Sequence, residues 1–142
     1  MRRALCALFL SLPLLAWGQA PSPAVSAADA RAIRKVIEAQ LDAFRRDDAA
    51  RAFSYATPGI RELFGTPETF MAMVKTSYPV VYRPRSVVFQ APAMEGSELV
   101  QLVRMTDADG HAWIARYPML RDRKGAWRIN GCQLARVPGQ AT

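Results

Sequence analysis

The side chains of this chain that could take part in chemistry are mostly phenolic. Tyr55, Tyr78, Tyr82 and Tyr117 could each donate a hydrogen bond to a carbonyl or a developing oxyanion, and His111, Trp113, Asn130 and Gln133 are the other polar candidates. Proton abstraction would also need a carboxylate or imidazole within reach of the same substrate. Asp42 lies beside an apolar helical stripe, but Arg45 and Arg46 follow at helical spacing and offer it surface pairs. His111, the single histidine, follows the Asp109-Gly110 turn, which places it at the surface. One histidine cannot build a multi-histidine zinc site. No Ser-His-Asp order, glycine-rich phosphate loop or metal-ligand cluster is visible. The pattern therefore assigns no catalytic residue, no metal and no cofactor.

The elements that must position these groups begin after an N-terminal address. Arg2 and Arg3 precede an apolar run from Ala4 to Trp17, interrupted only by Ser11. The run is too short for a spanning helix, which needs about 20 apolar residues, and reads as a secretory signal peptide. Cleavage is expected near residues 20–27: after Ala20, where Pro21 hinders the cut, or after Ala24 or Ala27. An uncleaved N-terminal anchor is the competing reading. The expected organisation is a signal peptide and short linker over 1–27, a single α+β domain over 28–136, and a C-terminal tail over 137–142. The mature protein is expected in the periplasm or secreted, with no stable membrane insertion once the signal is removed.

Removing the signal takes Cys6 with it and leaves Cys132, so no intrachain disulfide can form. A lone cysteine with no histidine nearby in sequence is expected to be a buried small hydrophobe rather than a reactive thiol. The formal charge falls from +7 to +5 with the loss of Arg2 and Arg3. The remaining cations are scattered among acids and read as a solvated surface, with attraction to anionic envelope surfaces or acidic ligands as the alternative. No nucleic-acid-binding motif is present, so no nucleic acid partner is expected.

Ile33, Val36, Ile37, Gln40, Leu41 and Phe44 recur at helical spacing and predict an amphipathic helix over about Ala28 to Asp47, capped by Ser26 or Asp29. Asp47 or Asp48 can cap a short second helix through Ala49, Ala52, Phe53 and Ala56. Thr57-Pro58 and Thr66-Pro67 each place a hydroxyl at a cap and a proline at the first helical position. The first pair opens a short helix carrying Ile60, Leu63 and Phe64, ended by Gly65. The second opens a helix whose inward stripe is Phe70, Met73, Val74 and Ser77. Tyr78-Pro79 ends that helix, and Pro79 to Pro84 reads as a proline-pinned extended segment.

Beyond this hinge the periodicity changes. Ser86 to Gln90, Glu98 to Thr106, Ala112 to Arg121 and Ala126 to Leu134 are β-branched and aromatic runs joined by hairpin turns at Asp107 to Gly110 and Asp122 to Gly125. Pro118 interrupts one run and should mark a bulge, a bend or an unpaired edge. Leu99, Gln101, Val103 and Met105 share one face, as do Trp113, Ala115, Tyr117 and Met119; yet Val100, Leu102 and Ile114 opposite are apolar too. Helices on one face and a second copy of the chain on the other would cover both, so a homodimer through the sheet is expected. The fold class is α+β: three N-terminal helices packed on a curved antiparallel sheet of about four strands.

Ala39 to Asp48, Gly65 to Val74, Pro79 to Pro84 and Trp127 to Cys132 together resemble the bacterial domain-of-unknown-function 4864 family, over about Ala30 to Leu134. The layout is similar to the cone-shaped fold of the nuclear-transport-factor-2-like superfamily, which includes ketosteroid isomerases, scytalone dehydratase and many noncatalytic domains. In that superfamily a cavity lies between the helices and the concave sheet face. The resemblance thus implies Tyr55, Tyr78, Tyr82, Trp113 and Tyr117 as pocket lining. It implies no activity, because fold alone does not determine function. The expected role is a noncatalytic exported protein that binds a small apolar or amphipathic ligand in the cone, or a protein partner. The alternatives are an isomerase or dehydratase using the cavity and an envelope interaction module using the sheet face.

Overall fold

A computed structural model describes residues 24–139, so the expected signal peptide falls outside the described residues except at its linker end. Helix α1 (Ala27–Arg45) starts at Ser26, whose hydroxyl accepts the Asp29 N–H at 3.0 Å. Its apolar stripe buries Ile33, Ile37, Leu41 and Phe44, and Gln40 lies buried within the same stripe. The helix ends through Asp47, which adopts φ 54° while the Asp48 N–H bonds back to Ala43. That left-handed position usually takes glycine. Here the side chain has a task of its own, because the Asp47 carboxylate accepts the Tyr82 hydroxyl and pairs with Lys75 and Arg83. The Tyr82 hydrogen bond, then the two cations, hold its carboxyl below the usual range.

Three further helices follow the predicted caps. Asp48 caps α2 (Ala49–Ser54), Thr57 caps α3 (Pro58–Phe64) and Thr66 caps α4 (Pro67–Ser77), and Gly65 ends α3 at φ 77°. In α4 the buried positions are Phe70, Met71 and Val74, whereas Ser77 is exposed. The expected extended segment after Tyr78 is instead a helical turn, α5 (Pro79–Tyr82), with Val80 and Val81 buried. Proline restricts only the residue before it. Tyr78 and Arg83, which precede Pro79 and Pro84, leave helical geometry, and Pro79 itself starts the turn closed by the Arg83 N–H on its carbonyl.

The strand-rich half forms one antiparallel sheet curled into a half-barrel. Six strands are present: β1 (Ser86–Phe89), β2 (Ala93–Glu95), β3 (Glu98–Thr106), β4 (Ala112–Arg121), β5 (Trp127–Ile129) and β6 (Gln133–Arg136). Two long central strands, β3 and β4, pair with each other from Leu99↔Met119 to Thr106↔Ala112. Each flank is a broken strand: β1 and β2 share β3, and β5 and β6 share β4. Two of the four expected runs are the central strands. Ser86 to Gln90 is β1 alone, so β2 falls outside every expected run, and Ala126 to Leu134 takes in β5 and the start of β6 across a break expected only at Pro118 on the neighbouring strand.

Both breaks are one-residue slips of register, from Phe89↔Val103 to Ala93↔Val100 and from Met119↔Ile129 to Arg116↔Gln133. Pro118 explains the second. Its carbonyl accepts the Asn130 N–H at 2.8 Å, so its missing donor faces the same β5–β6 flank, and the bulge falls there while β4 keeps its register against β3. Gln101 secures the first break: fully buried, its amide donates to the carbonyls of Gln90 at 2.6 Å and Leu102 at 2.8 Å. Gln101→Leu is expected to lose about 2 kcal/mol by orphaning the Gln90 carbonyl, since the Leu102 carbonyl keeps the Gln90 N–H at 3.1 Å; the loss is read as a shifted urea midpoint at unchanged slope.

The helical layer packs on the concave face. Ile33, Ile37, Phe44, Phe70 and Val74 share one core with Val103, Met105, Ala115, Tyr117 and Met119. The α2–α3 joint is stitched to the sheet edge: Tyr55 and Thr57 exchange backbone hydrogen bonds with Ile129, and the Thr57 hydroxyl donates to Asn130 at 2.9 Å. Among the described residues no helix is long and apolar enough to cross a membrane.

Candidate functional site

A cavity of about 230 Å³ lies between the helical layer and the concave sheet face. Helix α1 contributes Gln40 and Phe44, α3 contributes Ile60 and Phe64, and α4 contributes Phe70 and Met73. The sheet closes the far side with Tyr117, Ile129 and Cys132, and Tyr78 stands at the end of α4. Leu63, 73% exposed, marks the open mouth. None of these lining residues is charged.

Tyr117 is the chemically singular group. Inward alternation on β4 places it opposite Gln101, fully buried, and its hydroxyl has no hydrogen-bond partner among the described residues. Such a group costs about 1–3 kcal/mol, so buried hydroxyls are normally paired. The Cys132 sulfur is a polar neighbour that bears on its ionisation through charge and a side-chain hydrogen bond, but no contact of ordinary hydrogen-bond geometry joins the two groups. Burial first, and Cys132 second, raise the Tyr117 hydroxyl well above its ordinary pKa. The same two causes raise Tyr78.

The bulge after β5 carries Cys132 to the cavity wall, where burial pushes its thiol up to about 12. The native thiol is therefore expected to react with a disulfide reagent at pH 8 about a thousandfold more slowly than the unfolded chain. Rapid labelling of the folded protein, followed by absorbance, would contradict this. Tyr78, Tyr117 and Cys132 all stay protonated near neutral pH, so the cavity offers hydrogen-bond donors without a charge or a base. Gln40, its amide nitrogen held by the Ala52 carbonyl at 3.1 Å, adds a further polar group.

Of the five tyrosine and tryptophan positions predicted to line a pocket, Tyr78 and Tyr117 meet at this cavity; Tyr55, Tyr82 and Trp113 are not among its lining. The Tyr55 hydroxyl accepts from Arg51 at 3.3 Å. Tyr82 holds Asp47 and lies under the Arg83 guanidinium at 4.0 Å. The Trp113 indole donates to Asp107 at 2.9 Å, and Tyr82 and Trp113 share a separate surface cleft. Gln40 and Cys132 were not among the predicted lining. Gln40 could have been found as the one amide in the apolar stripe of α1, while the Cys132 position depends on a bulge whose signal, Pro118, lies on the neighbouring strand and not beside Cys132.

Asp42 pairs with Arg45, Arg46 and Arg51, each at 3.0 Å, as a surface hub away from the cavity. His111 sits in the β3–β4 turn, where Asp107, Asp109 and His111 bring their ligand atoms within 4.8 Å of one another. The Asp107 carboxylate is already occupied, accepting the N–H groups of Asp109 and His111 and the Trp113 indole. Closure of the turn accounts for that cluster.

No curated protein and no solved structure matches the chain. Residues 26–142, which take in every helix and strand described above, match the family model described as Domain of unknown function (DUF4864), and the chain belongs to that family.

Proposed function

We propose that the protein is an exported, noncatalytic carrier of a small neutral amphipathic molecule held in the cone cavity. The observation that carries this reading is the Tyr117 hydroxyl, buried without a partner beside an apolar space. A ligand with an apolar body and one oxygen acceptor would fill the space among Phe44, Phe70 and Met73 and satisfy that hydroxyl. An apolar cavity of about 150 Å³ accepts benzene. The larger space here suits on the order of ten non-hydrogen atoms. An anion would lie there without a compensating charge, and proton abstraction would find no carboxylate or imidazole on the wall.

The helices on the concave face of a curled sheet also support placing the family in the nuclear-transport-factor-2-like superfamily. On the convex face Val88, Leu102 and Ile114 remain partly or fully exposed, which supports the proposed homodimer, although Arg104 and Arg116 lie among them. A monomer mass in light scattering at every concentration would remove the dimer.

Titration with 1-octanol, octane and octanoate, followed by amide chemical shifts, tests the cavity. Octanol is expected to bind at least about tenfold more tightly than either of the others, since one hydrogen bond to a buried donor contributes about 1–2 kcal/mol. Equal binding of all three, or none at the cavity residues, would overturn the reading.

A further inference from the structure

A second concavity stands on the other side of the wall formed by α3 and β5. Ile60 and Ile129 face the apolar cavity, whereas Arg61 and Arg128 line a groove of about 600 Å³ between the α2–α3 joint and the β4–β5 turn. Arg121, Arg123 and Lys124 complete its cationic lining, and Asp122 is the single carboxylate.

That carboxylate does not neutralise the groove. Asp122 accepts the N–H groups of Lys124 and Ala126, each at 2.9 Å, to close its own turn, and pairs with Arg128 at 3.3 Å. Arg121 is held by Asp29 and lies over the Trp127 ring at 4.6 Å. Arg61, Arg123 and Lys124 make no side-chain hydrogen bond or ion pair among the described residues. Asp122 offsets part of the Lys124 charge from a distance, but it is shared with Arg128, so the cations around this concavity still repel each other, and a bound anion removes that repulsion. A carboxylate has one charge and two oxygens. A phosphate has up to two charges and a tetrahedral set of oxygens, which guanidinium groups engage in bidentate fashion. The groove is far larger than the phosphate group itself, so there is room for the molecule that bears it.

We propose that this groove binds a phosphate group carried on a larger molecule, either a soluble diphosphate or an anionic lipid headgroup. The two sources are separated with the full chain in two arms: calorimetric titration with pyrophosphate, and sedimentation with vesicles of phosphatidylglycerol in phosphatidylcholine. Binding is expected in at least one arm and should weaken as salt rises. The triple variant R61Q/R123Q/K124Q is expected to lose about tenfold or more in affinity with little change in thermal stability, because all three side chains are exposed and make no hydrogen bond or ion pair among the described residues. The triple variant R31Q/K35Q/R136Q, with the same change in charge on exposed positions elsewhere, is expected to bind as the parent does. Binding to pyrophosphate identifies a soluble ligand, and binding to vesicles alone identifies a headgroup. No binding in either arm, or equal losses in the two triple variants, would overturn the proposal.

Discussion

Phe70→Ala is expected to lower the unfolding free energy by about 4 kcal/mol, because one ring joins four helices. Phe70 lies on α4, 7% exposed, and its ring meets Phe44 of α1 at 6.0 Å, Phe53 of α2 at 5.4 Å and Phe64 of α3 at 5.6 Å. Truncating a buried phenylalanine costs about 3–5 kcal/mol, and aromatic pairs add about 0.5–1.5 kcal/mol each beyond the area they bury. The neighbouring space is already open at the cavity, so the helices gain little by collapsing onto the vacancy. Urea unfolding monitored by circular dichroism measures the loss. A change below about 1.5 kcal/mol would mean that the helices are held together by something other than this ring. Phe70→Leu, which keeps most of the volume, should lose less than half as much.

Tyr117→Phe has the opposite sign. Removing a hydroxyl that is buried without a partner relieves its desolvation penalty while the ring keeps its packing, so the ligand-free protein is expected to gain about 1 kcal/mol. Across a domain of this size that raises the melting temperature by about 4 °C. The same variant should weaken 1-octanol binding by about tenfold, because the ligand loses its donor. A Tyr117→Phe protein that is less stable without ligand would show that the hydroxyl has a partner in solution, and the carrier reading would lose its central observation. The paired readout matters because an ordinary structural tyrosine would lower both quantities.

Much of the framework is readable along the chain because it depends on neighbours within one turn. Ser26, Asp48, Thr57 and Thr66 act as caps through N–H groups three residues on, and Gly65 ends α3 because it can adopt φ 77°. The turns at Asp107 and Asp122 close on their own carboxylates in the same way. The extended reading of Pro79 to Pro84 did not hold, since prolines at both ends constrain Tyr78 and Arg83 and leave Val80 and Val81 free to follow the core. Ser77 and Met71 exchange roles for a similar reason: which face of α4 is buried depends on what packs against it.

By itself, the sequence determined the order of helices and strands, the α+β class, the family segments and an uncharged set of tyrosines with no base among them. Only the tertiary structure decided that Tyr78 and Tyr117 converge while Tyr55, Tyr82 and Trp113 are taken up elsewhere. It also decided that the Tyr117 hydroxyl is left without a hydrogen-bond partner of ordinary geometry and that Arg61 lines one groove with Arg123. Caps and periodicities act over three or four residues, where the chain's own geometry is nearly rigid. Convergence depends on register across contacts such as Thr57 with Asn130, 73 residues apart, and a one-residue bulge opposite Pro118 is enough to choose which side chains face the cone.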